Sequence, residues 1–234
     1  MKYRHFLLDL DDTLLDFGAS EKLSFEKTMH TLGLGELPEK LFEDYQSINK
    51  SLWDKFEQGL ISKELLKVER FQRLFEMRAL GADAGLASTT YLANLPECVV
   101  VVDGALELCK KLNYFGKVGI ITNGIEAVQK ARIAVSGLLP WLSFIATSEA
   151  YGYAKPDARF FDHAAVRFSE FNKSQAVIIG DRIEADIQGG HNFGIDSCWF
   201  NQKRVTSKHL LRPTYEVTQL DQVVDVLRTA SSSL

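Results

Sequence analysis

Cysteine is scarce in this chain. Cys98, Cys109 and Cys198 are three in 234 residues, odd in number and scattered without metal-ligand spacing, so they read as reduced core or surface residues. Nothing flanking any of them provides the low-pKa setting a catalytic thiolate needs. No long basic run occurs either, and a net charge of -4 argues against a broad nucleic-acid-binding face. A local cationic pocket for one phosphate remains compatible with that charge. Long apolar runs are missing too. Asp9 interrupts the N-terminal one after a few residues, so a secretory core is not expected, and no stretch is long enough to span a bilayer. These absences lead to the expectation of a cytoplasmic protein with no membrane and no nucleic-acid polymer as partner. There is no internal repeat and no low-complexity segment. Ser231-Ser232-Ser233 is expected to fray.

What is present is ordinary globular material, 46% hydrophobic, enough for one substantial core or a core with a smaller appended domain. A short buried strand is predicted over 4–8. From there to about residue 80 the apolar spacing is helical, over 20–32, 38–56 and 62–80, with Gly33, Gly35, Pro38 and Gly59 between helices and Gly81 and Gly85 beyond them. Leu41, Tyr45, Ile48, Leu52 and Phe56 form one predicted buried stripe; Leu65, Leu66, Val68, Phe71, Leu74 and Phe75 form another. From Cys98 onward the pattern alternates. Apolar runs at 118–121, 144–146, 176–179 and 197–200 are separated by predicted helices at 103–114, 125–135, 158–168 and 184–192. Such alternation predicts a largely parallel sheet. The first strand then belongs with the second half, and the helical interval is an insertion. The expected division is 1–16 with 98–234 as a core and 17–97 as a helical domain, joined by connectors at 16–19 and 94–103 that form a natural hinge.

The most informative stretch is Asp9-Leu10-Asp11-Asp12-Thr13, where acidic residues gather at the end of an apolar strand. Like charges this close repel, and a hard divalent cation with oxygen ligands is the simplest way to hold them. Three readings compete: a solvated turn capping a helix, a phosphoacceptor receiver domain, and a phosphoryl-transfer enzyme with an aspartate nucleophile. In an open parallel sheet, ligands sit outside the carboxyl ends of the strands. The residues there are Asp9 and Asp11, Thr122-Asn123-Gly124, Lys155 and Gly180-Asp181, with Asp186 one helical turn further on. Each has a plain reading alone: Thr122-Asn123-Gly124 as a turn and cap, Lys155 as a surface lysine, Asp181 as a cap, Asp186 as a solvated helix residue. Together they supply complementary roles after separate strands. Asp9 can attack phosphorus, Asp11 can carry a proton, and Thr122 with the amides of Asn123 and Gly124 can donate to phosphate oxygens. Lys155 can neutralise charge, Asp181 can ligate the cation, and Asp186 can orient the lysine.

This ordered set resembles the haloacid dehalogenase superfamily of phosphotransferases, over nearly the whole chain. The resemblance implies an α/β fold: a Rossmann-like parallel-sheet core with an all-α helical cap inserted after the first strand. It implies Asp9 as nucleophile, Asp11 as general acid and base, and Thr122, Asn123 and Lys155 as phosphate binders. Mg²⁺ would be held by Asp9, Asp181 and the Asp11 backbone carbonyl, with Asp186 behind them. An acid at position 11 favours a phosphatase over a dehalogenase, because halide leaves without a proton. Asp44-Tyr45-Gln46, Asn49 to Trp53 and Gln58-Gly59 look like the cytosolic pyrimidine 5'-nucleotidase branch, while Arg182 departs from its usual small hydroxyl residue. Phe17, Asn49 and Trp53 are the candidate substrate contacts, with Tyr45 and Phe56 as further aromatics and Lys50 and Arg70 as further polar groups; an aromatic on an amphipathic helix is more often core. The expected function is a Mg²⁺-dependent phosphomonoesterase of a small phosphorylated metabolite, a nucleoside monophosphate, acting as monomer or homodimer. Sugar or glycolate phosphatases and a β-phosphoglucomutase-like enzyme are alternatives, as is a receiver-like or phosphate-binding regulatory protein.

Overall fold

The computed structural model of the chain describes residues 1–35, 37–206 and 210–229; the segment expected to fray at Ser231-Ser232-Ser233 lies outside them. In chain order the main elements are β1 (His5–Leu8), α1 (Phe17–Thr31), α2 (Leu41–Glu57), α3 (Lys63–Met77), α4 (Ala84–Asn94), α5 (Ala105–Phe115), β2 (Lys117–Thr122) and α6 (Glu126–Ser136). There follow β3 (Phe144–Thr147), α7 (Ser148–Tyr151), α8 (Ala158–Ala165), β4 (Ala176–Gly180), α9 (Gln188–Phe193), β5 (Asp196–Phe200), β6 (Tyr215–Val217) and α10 (Val223–Thr229). By chain contacts, Met1–Phe17 and Val100–Leu234 form one unit and Gly18–Val99 another.

The first unit is built on a six-stranded sheet in the order β3-β2-β1-β4-β5-β6, every pairing parallel. β1 lies between β2 and β4, and every residue of β1 and β4 is buried, which explains why both read as uninterrupted apolar runs. On one face, Leu7, Ile121 and Ile178 pack with Phe160, Phe161 and Ala164 of α8 and Phe193 of α9. The insertion after β1 is all helical, as the resemblance implied.

The second unit packs four helices around a ring cluster: Phe25 of α1, Tyr45 of α2, Phe71 of α3 and Tyr91 of α4. Tyr45 lies 4.7 Å from Phe25, 5.2 Å from Phe71 and 5.7 Å from Tyr91, centroid to centroid. Tyr45 is therefore core, fully buried. Both predicted stripes need correction. On α2 the buried residues are Leu41, Tyr45, Asn49 and Leu52, with Asn49 in the place expected for Ile48. On α3, Arg70 is buried while Leu65 and Val68 are exposed. A polar network explains both shifts. Asn49 Nδ2 donates to Glu21 (2.8 Å), Arg70 Nη1 reaches Asn49 Oδ1 (3.4 Å), and the Arg70 guanidinium lies 4.6 Å from the Tyr91 ring centre.

Other boundaries shift for local reasons. The Asp12 carboxylate accepts from the Phe17 amide (2.9 Å), so helix α1 starts inside the expected 16–19 connector. The helix expected at 184–192 is a wide π-type turn over Ile183–Ile187 followed by α9, and the helix expected at 158–168 ends at Ala165. Helix α4, strand β6 and helix α10 had no counterpart among the sequence expectations.

Candidate active site

The last hydrogen bond between β1 and β4 runs from the Asp9 amide to the Ile179 carbonyl (2.9 Å) and fixes Asp9 at the carboxyl end of the sheet. Beyond it the chain turns tightly. Leu14 and Leu15 both donate to the Leu10 carbonyl (2.9 Å each), and Asp12 takes a left-handed conformation with φ 56. Asp12 and Thr13 thus shape the turn, and the Thr13 hydroxyl also donates to Asp181 Oδ1 (3.2 Å).

Lys155 arrives from the loop after α7. Asn123 braces that loop: its side chain accepts from the Lys155 amide (2.8 Å) and donates to the Lys155 carbonyl (3.0 Å). The buried ammonium donates to Asp9 Oδ1 and to Asp186 Oδ1, the latter at 2.7 Å. Asp186 is fully buried; its second oxygen accepts from the Arg182 amide (3.0 Å). Gly180 is required here, because a Cβ at that position would overlap the Asp186 carboxylate. Trp199 Nε1 donates to the Asp181 carbonyl (2.8 Å), holding the start of the turn after β4.

One ammonium therefore pairs with two of three clustered carboxylates. Burial, and then the charges of Asp186 and Asp11, push the Asp9 carboxyl up to about 7 against the pull of Lys155. Burial and the charges of Asp9 and Asp186 hold Asp181 well above the usual carboxylate range. Burial works against the charge on Lys155, but Asp186 and Asp9 outweigh it and keep the ammonium above its ordinary range. Oxygens of Asp9, Asp181 and Asp186 lie within 4.8 Å of one another. An all-oxygen donor set with uncompensated negative charge fits a hard divalent cation. Both oxygens of Asp186 are engaged by protein donors, so Asp9 and Asp181 are the better-placed carboxylates for it.

The other side of the β1 end is organised by α6. Gln129 Nε2 donates to Asp11 Oδ2 (2.6 Å) and to Thr122 Oγ1 (2.9 Å), and Arg132 Nη1 donates to Asp11 Oδ1 and to Gln129 Oε1 (2.8 Å). The Gly124 amide also donates to Thr122 Oγ1 (3.0 Å), so it is not the open donor expected from sequence. With both acceptor positions of Thr122 Oγ1 filled by N–H groups, its own hydrogen is left for an incoming acceptor such as a phosphate oxygen.

Asp9, Asp11, Thr122, Asn123, Lys155, Asp181 and Asp186 thus come together at one end of the sheet. Phe17 lies on the same unit, its ring 5.4 Å from the Arg132 guanidinium. Asn49 and Trp53 belong to the helical unit, where Asn49 is buried in the Glu21–Arg70 network and Trp53 packs edge-on against Phe56 (5.6 Å). Gln129 and Arg132 escaped the sequence reading. Their only signal was spacing: with Ile133 and Ser136 they fill the buried face of α6 at positions i, i+3, i+4 and i+7.

Comparison with known proteins points the same way. The family of haloacid dehalogenase-like hydrolases matches residues 3–194. The pyrimidine 5'-nucleotidase PynA of Streptococcus pneumoniae is 35% identical over 231 residues, covering 97% of this chain and 96% of its own length. The pyrimidine 5'-nucleotidase YjjG of Escherichia coli is 30% identical over 227 residues, covering 97% and 99%. The crystal structure of the Bacillus subtilis HAD-hydrolase YfnB bound to magnesium superposes with a TM-score of 0.90 at 33% identity, over 97% of this chain and 99% of that one. The chain belongs to the haloacid dehalogenase-like hydrolase family.

Proposed function

We propose that this hydrolase is a Mg²⁺-dependent phosphomonoesterase that works through an aspartyl-phosphate on Asp9 and acts on nucleoside 5'-monophosphates, pyrimidine nucleotides first. The observation that carries the chemistry is the buried Asp9 carboxylate at the end of β1, bonded to Lys155, beside Asp181 and Asp186. The substrate class is supported by the names of PynA and YjjG, which span nearly the whole chain.

The Asp9 carboxylate attacks phosphorus; an O–P bond forms to Asp9 as the ester O–P bond breaks. Asp11 gives its proton to the departing alkoxide, which leaves as the alcohol. Asp11 then takes a proton from water as the water oxygen bonds to phosphorus, the Asp9 O–P bond breaks, and inorganic phosphate leaves. Lys155 offsets charge on Asp9 and on the transferred group, Thr122 donates to a phosphate oxygen, and Asn123 holds the Lys155 loop in place. When bound by Asp9, Asp181 and the Asp11 backbone carbonyl, Mg²⁺ would supply charge neutralisation for the phosphoryl oxygens. Asp186 holds Lys155 in reach.

The substrate is a small phosphorylated metabolite, and a cytoplasmic site of action suits it. No helix among the described residues is long and apolar enough to cross a membrane. A panel of phosphate esters with Mg²⁺ tests the reading: thymidine and deoxyuridine 5'-monophosphates should be hydrolysed faster than hexose phosphates or phosphoglycolate. The reverse order overturns the substrate assignment, and phosphate migration without release overturns the hydrolytic one.

A further inference from the structure

Arg132 is almost fully buried, at 1% exposure, yet uses little of its hydrogen-bonding capacity. Nη1 serves Asp11 and Gln129, whereas Nε and Nη2 have no hydrogen-bond partner and the guanidinium lies over the Phe17 ring. For stability alone this is a poor arrangement, since an apolar side chain would fill the space without the cost of desolvating a cation. What the pair Gln129–Arg132 does accomplish is geometric. Asp11 is 31% exposed, and each of its two oxygens is held by a different donor from α6. The Gln129 amide cannot be turned round, because its oxygen would then face the Asp11 carboxylate. Its second hydrogen goes to Thr122 Oγ1. One helix face therefore fixes the carboxylate that would carry the proton and the hydroxyl that would meet the phosphate in a single frame.

We infer that Gln129 and Arg132 are positioning residues that hold Asp11 in register with the Thr122 phosphate site; this rests on the reading of Asp11 as the proton carrier. An ester that needs leaving-group protonation should feel their loss, and one that does not should be spared. The quantity to measure is kcat/KM, which spans every step through departure of the leaving group. With Arg132→Met, kcat/KM for thymidine 5'-monophosphate is expected to fall about 30-fold or more, within the range general acid catalysis supplies. For p-nitrophenyl phosphate, whose phenolate leaves without a proton, the fall should stay within about threefold. Arg132→Lys should recover part of the lost rate, and in an Asp11→Asn background Arg132→Met should add less than about a factor of two, because two residues acting through one group are not additive.

Equal losses on the two esters, no loss on either, or an undiminished further loss in the Asp11→Asn background would each overturn the inference. If Arg132→Met does not fold by its thermal melt, Arg132→Lys and Arg132→Gln carry the same two-ester comparison. An inactive wild-type protein with Mg²⁺ would overturn the functional reading and this inference together. An active wild type whose variants lose both esters equally overturns the positioning role alone.

Discussion

The two flanks of the β1 strand end hold their carboxylates by opposite means. On the β4 side, Asp9, Asp181 and Asp186 cluster together, one buried ammonium pairs with only Asp9 and Asp186, and negative charge is in excess. On the β2 side, Asp11 stays partly exposed and is pinned from outside by neutral and cationic donors of α6. A buried group surrounded by like charges has few rotamers left but a strained charge state. A partly exposed group is less crowded and needs a clamp for its geometry. The comparison separates a flank built to hold and neutralise the nucleophile from one built to aim a proton carrier.

Breaking the first flank should cost most. Asp9→Asn is expected to reduce turnover by about 10³-fold or more, since a lost nucleophile cannot be replaced by its neighbours. Circular dichroism should show the fold retained, because the amide is nearly isosteric and relieves repulsion. Asp11→Asn comes next. A loss of about 10²- to 10⁴-fold on nucleoside monophosphates is expected, with a much smaller effect on kcat/KM for p-nitrophenyl phosphate; equal losses would erase the distinction between the flanks.

Lys155→Met tests stability on the same flank. Removing the ammonium leaves buried carboxylates unpaired, and a loss of about 3–5 kcal/mol in denaturant unfolding is expected when one partner of a buried pair is deleted. An unchanged midpoint would show that the carboxylates do not depend on Lys155.

The smallest expected effect is on pH dependence. The Asp9 carboxyl is raised from 3.8 to about 7, so the folded state binds its proton more tightly than the unfolded state does. That contribution to stability is complete below 3.8 and is lost as pH rises through about 7. Without Mg²⁺, the wild-type melting temperature should therefore drop relative to that of Asp9→Asn across this window. Stabilisation by added Mg²⁺ should grow across it, because proton and cation compete for the same oxygens. A Mg²⁺ shift independent of pH would contradict the assignment of Asp9 to the cation.

The same two flanks differ in how much of them could be read from sequence. Asp9 and Asp181 follow buried parallel strands, whose unbroken apolar runs mark their own ends, so the residues to inspect were evident. Gln129 and Arg132 were not. They sit inside an amphipathic helix, and only the fold brings them to Asp11, 118 and 121 residues away in the chain. The helical unit repeats the lesson. Periodicity found α2 and α3 but placed Ile48, Leu65 and Val68 inside, because the network of Glu21, Asn49 and Arg70 that claims the interior is a tertiary arrangement. Strand β6 is three residues long, and helix α4 is rich in Ala, Ser and Thr; neither offers enough apolar contrast to announce itself.

The central claim is that the phosphoryl group passes through Asp9. The Asp11→Asn variant with p-nitrophenyl phosphate and Mg²⁺ isolates that step, because phosphoryl transfer needs no proton from Asp11 there, while hydrolysis of the intermediate needs Asp11 to take one from water. After acid quench and proteolysis, mass spectrometry should find one phosphoryl group on the peptide carrying Asp9. Release of p-nitrophenol with no phosphoryl group on that peptide, or with the group on another, would contradict it.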